Sequence, residues 1–207
     1  MIAYKFLKAG RVGPFSGFSW PEPGLWVTAD AGADVCRTGV HACRPRDLPW
    51  WLADELWTVE LGGDVQTDRH KVAATRGRLR ARIEGWTREC ARDYGEACAW
   101  RAHETASVAL RRAGHRRASR QLDACDTLDR VLSTTRRLAD ELPDSRIGLT
   151  MAGDGAFRAM TEAPPTSAYI AAHIALALGG PAAYAAEREW QAQWLIDQLG
   201  LSIAPRS

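Results

Sequence analysis

His41 and Cys43 stand two residues apart in the segment VHAC and form the first pair whose types suggest chemistry. If VHAC is a β-strand, both side chains project from the same face. A thiol beside an imidazole can become a nucleophilic thiolate, but such neighbours are roughly 7 Å apart, too far for direct proton transfer. We therefore expect His41 to act alone, as a general acid or base or as a hydrogen-bond donor to the substrate, and Cys43 to contact the substrate. A packed thiol beside a structural His is the alternative.

Glu60 and Tyr4 are the candidate catalytic partners of His41. Glu60 lies in LWTVEL, where an apolar flank can raise the pKa of a strand carboxylate into a range useful for acid or base chemistry. A solvated carboxylate on an edge strand explains the same pattern. Tyr4 lies next to Lys5 on the first predicted strand, which we expect to neighbour the strand of His41.

Lysine is rare in this chain and occurs only at positions 5, 8 and 71 among 27 basic residues. A retained Lys can supply what Arg cannot, which is a pKa that its surroundings shift. Lys5 and Lys71 are therefore candidate substrate-binding residues, with chance retention as the simpler alternative. Trp20, in the loop SGFSWPEPG, is a candidate wall of a small-molecule pocket because an indole is large and rigid.

Four arginines alternate with other residues in RGRLRAR, at positions 76, 78, 80 and 82. On a strand they share one face, where Arg76 and Arg78 can bind a substrate carboxylate or phosphate by paired hydrogen bonds. On a helix they form a solvated surface, and Leu79, Ile83 and Trp86 group together instead. We favour a strand through about residue 80, because VAAT follows the predicted turn GGD.

Several catalytic and metal-binding motifs are incomplete. HETAS begins like a zinc-protease helix, but Ser107 replaces the second His. GDGAF lacks the Lys of a phosphate loop and the strand context of a dinucleotide fingerprint. The five cysteines are odd in number and form no CxxC pair, so they indicate reduced thiols rather than disulfides or structural zinc. We expect no metal and no cofactor.

Composition limits the class of protein. A chain of 207 residues with 46% hydrophobic content can bury one sizeable core. Its formal net charge of +2 argues against a nucleic-acid partner. No run of about 18 uncharged apolar residues and no leader-like N-terminal segment occurs, so we expect a soluble cytoplasmic protein without a membrane partner. Abundant Arg and Ala without any Asn are typical of a GC-rich bacterial genome.

The elements that must position these residues begin with an N-terminal region, residues 1–85, rich in Gly, Pro and Trp. Here we expect a small mixed β-sheet with one short helix. The predicted strands are IAYKFL, GLWVTAD, TGVHAC, LWTVEL and the segment up to about residue 80. A helix capped by Asp47 is predicted to include WWLADEL, and GGD is predicted to be a turn.

Residues 86–207 are Ala-rich and predict a bundle of about four helices packed on the sheet in one compact domain. Helix boundaries are predicted at Thr87, Gly114, Pro143, Pro181 and Gly200. Residues 143–165 are predicted to form a long loop, which in compact proteins is often a functional lid. Trp190 and Trp194 lie four residues apart and either dock the last helix or form a homodimer contact.

Five sequence blocks in the first 80 residues occur in a fixed order: YKFL, GPFSGFSWP, CRTGVHACRPRDLPWWL, LWTVEL and HKVAATRGRL. Together they resemble an uncharacterised bacterial and phage domain family of unknown function. Its features are a Tyr-Lys strand, a Cys-x-x-Gly-x-His-Ala-Cys segment, a helix and a strand that ends in an acidic residue. The resemblance implies an α+β fold and implies no activity, and it does not cover the helical remainder.

These residues favour a small cofactor-independent enzyme of the lyase, cyclase or hydrolase type, which acts by acid/base chemistry on a polar or anionic small molecule. Bacterial secondary metabolism is a natural setting. One alternative is an NAD-using domain that resembles ADP-ribosyltransferases in the order Tyr4–Lys5, His41, Glu60, although their first-strand Arg or His and their Glu-x-Glu or Gln-x-Glu pair are absent. Another is a protein-interaction or immunity-type protein without catalysis.

Overall fold

The computed structural model describes residues 1–29 and 38–201, and over these residues it contains five strands and five α-helices. The strands are β1 (Ile2–Leu7), β2 (Val27–Thr28), β3 (Val40–Ala42), β4 (Glu55–Thr67) and β5 (Val72–Arg82). The helices are α1 (Arg88–Arg112), α2 (Arg116–Asp123), α3 (Leu128–Glu141), α4 (Arg146–Met160) and α5 (Pro164–Leu199). An N-terminal sheet followed by a helical region confirms the predicted α+β class.

The sheet has the order β1-β4-β5-β2, and β3 also pairs with β5. In addition, the backbones of Tyr4 in β1 and Cys43 just after β3 exchange two hydrogen bonds of 2.8 and 2.7 Å. The pairings therefore run from β1 through β4, β5 and β3 back to β1. This closure leaves fewer unpaired strand edges. Every pairing between these strands is antiparallel, so the predicted mixed sheet was wrong in that detail.

Apolar residues of the sheet form one buried cluster. Its members are Ala3, Leu7, Trp20, Val40, Ala42, Trp57, Val59, Leu61, Val72, Ala74 and Leu79. Complete burial of one such large apolar side chain stabilises the fold by about 1.5 to 3 kcal/mol. Val40 and Ala42 are buried in this cluster, and strand alternation turns His41, between them, to the opposite face.

Two predictions for the sheet region need correction. β4 continues through GGD with a bulge between Gly62 and Val65, where Gly63 has a φ of 74° that glycine adopts without strain. The predicted helix around Asp47 is only a 3-10 helix over Pro45–Trp50, and Pro49 within it cannot donate a helical hydrogen bond. β5 extends to Arg82, as the strand interpretation of this segment predicted.

The chain divides into two compact units. The first contains residues 1–88 together with the C-terminal segment from Ala192, and the second contains Glu89–Gln191. In the second unit, α4 replaces the loop predicted over 143–165, so that prediction was wrong. The glycines of α4 that suggested a loop are buried packing positions: a Cβ at Gly153 would meet Thr135 of α3, and one at Gly148 would meet Leu178 of α5. Glycine here permits close approach of helices.

α5 is long and apolar enough to cross a membrane, judged by length and composition alone. Its apolar stretch includes Gly180, whose φ of 76° and ψ of −171° interrupt the helix just before Pro181. The run from Pro164 to Gly179 rises about 24 Å, less than the roughly 30 Å of a hydrocarbon core. This kinked helix is compatible with a soluble protein.

Candidate functional site

A cavity of about 300 Å³ opens beside the Tyr4–Cys43 backbone pair, where β1 meets the end of β3. This volume suits a small ligand. The cavity is lined by Tyr4, Lys5, Phe6, Gly13, Pro14, Phe15, Ser16, His41, Ala42, Cys43, Trp51 and Lys71. Five of the nine predicted site residues line this one cavity, and all five belong to the first unit. Four of them, Tyr4, Lys5, His41 and Cys43, lie where β1 meets β3.

The loop after β1 forms one wall through local backbone hydrogen bonds. The Gly13 amide donates to the Phe18 carbonyl at 2.8 Å, and the Gly17 amide donates to the Gly13 carbonyl at 3.0 Å. The Ser16 hydroxyl accepts from the Phe18 amide at 3.2 Å. This tight turn presents Phe15 to the cavity, where its ring meets Trp51 edge-on at 6.0 Å.

Lys5 carries the most unusual charge of the cavity wall. Its residue is partly exposed, but its ammonium group is enclosed by protein, and this burial lowers the pKa of Lys5 to about 8. Nζ donates to the His41 carbonyl at 2.5 Å and lies 5.4 Å from the centre of the Trp20 ring. Among the described residues, no Asp or Glu forms an ion pair with Lys5. An enclosed cation without an anionic partner is costly, so an anionic ligand would stabilise it.

Lys71 supplies a second cation at the wall because the turn before it is anchored. Arg44 Nη2 donates to the carbonyls of Asp68 and Arg69 at 3.0 and 2.6 Å. Trp51 Nε1 donates to the His70 carbonyl at 2.8 Å. These bonds hold residues 68–70 against the 3-10 helix, and they position the chain that carries Lys71.

Cys43 and His41 both line the cavity, but they do not form a nucleophilic pair. Cys43 is buried, and burial raises the pKa of its thiol well above the ordinary value, so the thiol stays protonated at neutral pH. Cys43 is therefore a neutral wall residue. His41 is partly exposed on the strand face opposite the core, and it lines the cavity.

Glu60 does not join this cavity. Arg78 Nε donates to a Glu60 carboxylate oxygen at 3.0 Å, and Arg80 Nη1 donates to the same oxygen at 2.9 Å. The hydrogen bond from Arg78 is the largest cause that holds the pKa of Glu60 below its ordinary value. The prediction that the pKa of Glu60 is raised was therefore wrong. The prediction that Glu60 is the partner of His41 was also wrong, because the strand register pairs Glu60 with Arg78 on β5 and His41 with Ala73.

The remaining three predicted substrate-binding residues lie elsewhere. Arg76 and Arg78 share a strand face as predicted, but their guanidinium groups stack on Trp26, with carbon-to-centroid distances of 4.7 and 4.6 Å. Since Arg78 also pairs with Glu60, this face is already engaged. Trp20 is buried in the core beneath Lys5 and does not line the cavity, because its ring completes the apolar cluster.

Sequence reasoning missed Phe15, Ser16 and Trp51 as wall residues and Arg44 as the anchor of the 68–70 turn. The Gly and Pro content of GPFSG indicated a loop. The length of this loop was the signal that could have predicted that it folds back against β1. Within residues 1–29 and 38–201, no group of three or more His, Cys, Asp or Glu side chains is placed to hold a metal ion.

The fold and the cavity define an α+β protein with a small-molecule-sized site in a closed antiparallel sheet. Comparison of the chain with protein-family models, curated proteins and solved structures finds no match. The resemblance to a bacterial and phage domain family therefore stays a prediction. Function must be argued from the site itself.

Proposed function

We propose that the protein binds a small anionic molecule in the cavity beside β1 and β3 and acts on it by acid/base chemistry without a cofactor. The observation that carries this proposal is the enclosed ammonium of Lys5, which has no carboxylate partner in the described part of the chain. A ligand carboxylate or phosphate supplies the missing charge, and Lys71 adds a second cation at the same wall.

In this proposal, His41 transfers the proton, and Tyr4 is its hydrogen-bonding partner. An imidazole changes charge near neutral pH, and both side chains line the cavity. Phe6, Phe15 and Trp51 give the wall an apolar part, which strengthens charge interactions with the ligand. The reaction class is a lyase, cyclase or hydrolase. The described free thiols are in keeping with a cytoplasmic setting, and we extend the proposal to bacterial secondary metabolism.

Binding can be tested with acetate, glycolate and inorganic phosphate, each titrated into the protein and followed by calorimetry and by NMR of backbone amides. We expect binding near pH 6.5 that weakens as the pH rises through about 8, where Lys5 loses its charge. Lys5→Met should weaken binding roughly 10-fold or more, the usual effect of losing a charged hydrogen bond.

Lys8→Met is the matched control, because Lys8 is exposed and does not line the cavity. It should bind the same anions as the wild-type protein does. Unchanged binding in Lys5→Met, with amide shifts confined to residues outside the cavity, would reject the proposal. Once a substrate is found among such anions, His41→Gln should bind it and lose turnover.

The two other functions receive less support. An ADP-ribosyltransferase-like site needs Glu60 near His41 and Tyr4, whereas Glu60 is ion-paired with Arg78 and Arg80 outside the cavity wall. NAD binding by calorimetry would nevertheless restore that function. A protein-interaction role predicts one stoichiometric partner in a pull-down and no stabilisation by any small anion.

A further inference from the structure

We propose that Lys5 is the nucleophile of this site and forms an imine with the carbonyl carbon of a small oxo acid. This inference rests on the proposed function, because it uses the same cavity and the same anionic class of ligand. It adds the identity of the reacting group on the ligand, an aldehyde or ketone, and the identity of the atom that attacks it, Lys5 Nζ.

The hydrogen bonding of Lys5 is also satisfied in the neutral amine, which is the minor form at pH 7 beside the ammonium. Among the described residues, its Nζ donates to the backbone carbonyl of His41 at 2.5 Å and forms no ion pair with Asp or Glu. A neutral amine donates one N–H to that carbonyl and keeps a lone pair that can attack a carbonyl carbon, and its residue lines the cavity. The Trp20 ring, 5.4 Å from Nζ, supports the side chain from the core side.

Enclosure also increases the fraction of Lys5 that is neutral. Burial lowers the pKa of Lys5 from 10.5 to about 8, which makes the neutral fraction at pH 7 about 300 times larger. A Lys activated in this way is a typical amine nucleophile toward carbonyl compounds. Lys71, at the same wall, can hold the carboxylate of the oxo acid while Lys5 reacts.

The reaction balances without any further reagent. The Lys5 nitrogen bonds to the carbonyl carbon, and the π electrons of the C=O bond move to the oxygen, which takes a proton. The nitrogen then loses a proton, the hydroxyl group gains one, and water leaves as the C=N bond forms in an iminium ion. Loss of the second nitrogen proton gives the neutral imine. Amine and carbonyl thus become imine and water. His41 and Tyr4 line the same cavity and can carry these protons.

The imine can be trapped by incubating the full chain with glyoxylate or pyruvate and sodium cyanoborohydride, which reduces the imine to a stable secondary amine. Peptide mapping by mass spectrometry then locates the adduct. The chain offers only Lys5, Lys8, Lys71 and the Met1 amine as sites. We expect at least 10-fold more adduct on Lys5 than on Lys8, loss of that adduct in Lys5→Arg, and its retention in Lys8→Arg.

Glycolate separates this inference from the proposed function. It has the same carboxylate as glyoxylate but an alcohol in place of the aldehyde, so it can bind the site and cannot form an imine. Glycolate binding at the cavity without a Lys5 adduct would overturn the imine and leave the anion site intact. If glycolate does not bind and no Lys5 adduct forms, both the anion site and the imine are overturned. Equal labelling of Lys5, Lys8 and Met1 would also overturn the imine. The wild-type peptide map decides the matter even if Lys5→Arg fails to fold.

Discussion

Replacement of Lys5 by Met should change how the stability of the protein depends on pH. Burial lowers the pKa of Lys5 to about 8, whereas the unfolded chain titrates near the ordinary 10.5. Between these two values, the unfolded state binds a proton that the folded state does not, so the free energy of unfolding rises with pH. Met has a similar length and does not titrate, so Lys5→Met lacks this rise.

The magnitude follows from the same two pKa values. The difference between 10.5 and about 8 corresponds to about 3 kcal/mol. Below about pH 8, Lys5 is charged in both states and the full penalty of enclosing it is present; above 10.5, it is neutral in both states and the penalty is gone. Loss of the hydrogen bond to His41 costs about 1 kcal/mol at every pH and leaves the slope unchanged.

Urea unfolding followed by tryptophan fluorescence between pH 7.5 and 10.5 measures this effect. The stability difference, wild type minus Lys5→Met, should rise by about 3 kcal/mol across that range. Lys8→Met, at an exposed position, should follow the wild-type curve. A difference that stays flat with pH would refute the argument that protein encloses the Lys5 ammonium, and with it the basis of both proposals.

Three further outcomes follow from local geometry. Burial raises the pKa of Cys98 well above the ordinary value, so at pH 8 iodoacetamide should label the half-exposed Cys90 faster than Cys98, and equal rates by mass spectrometry would contradict this. Gly63→Ala should lower stability in urea by about 1 to 2 kcal/mol, because its φ is positive and a Cβ would lie 1.9 Å from a side-chain oxygen. Gly24→Ala, also at positive φ but with no atom within 4 Å, should lose less; equal losses would argue against the contact. Glu60→Gln should cause a small, salt-dependent loss of stability with unchanged anion binding, and weakened binding would bring Glu60 back into the site.

Features that depend on neighbouring residues were readable from the sequence. Alternation in IAYKFL and VHAC predicted β1 and β3. Helix boundaries at Gly114 and Pro143 were also predicted correctly. Gly114 lacks a Cβ and adopts a positive φ freely, and the ring of Pro143 removes a helical N–H donor. The scarcity of lysine drew attention to Lys5 and Lys71, which the fold brings to one cavity.

Features that depend on distant pairing were not readable from the sequence. Glu60 was expected near His41, but strand register is chosen by burial of the whole sheet, and that register pairs Glu60 with Arg78. Similarly, the glycines of α4 predict a loop when the sequence is read alone. Contacts with neighbouring helices show that they are packing positions within a helix.

The sequence alone therefore established the α+β class, most strands and the residues able to do chemistry, because these follow from local backbone preferences and residue types. The three-dimensional structure established which of those residues share a cavity, through the backbone pair between Tyr4 and Cys43 that closes the sheet. It also established the lowered pKa of Lys5, because desolvation depends on every atom that encloses the ammonium group and not on its neighbours in the chain.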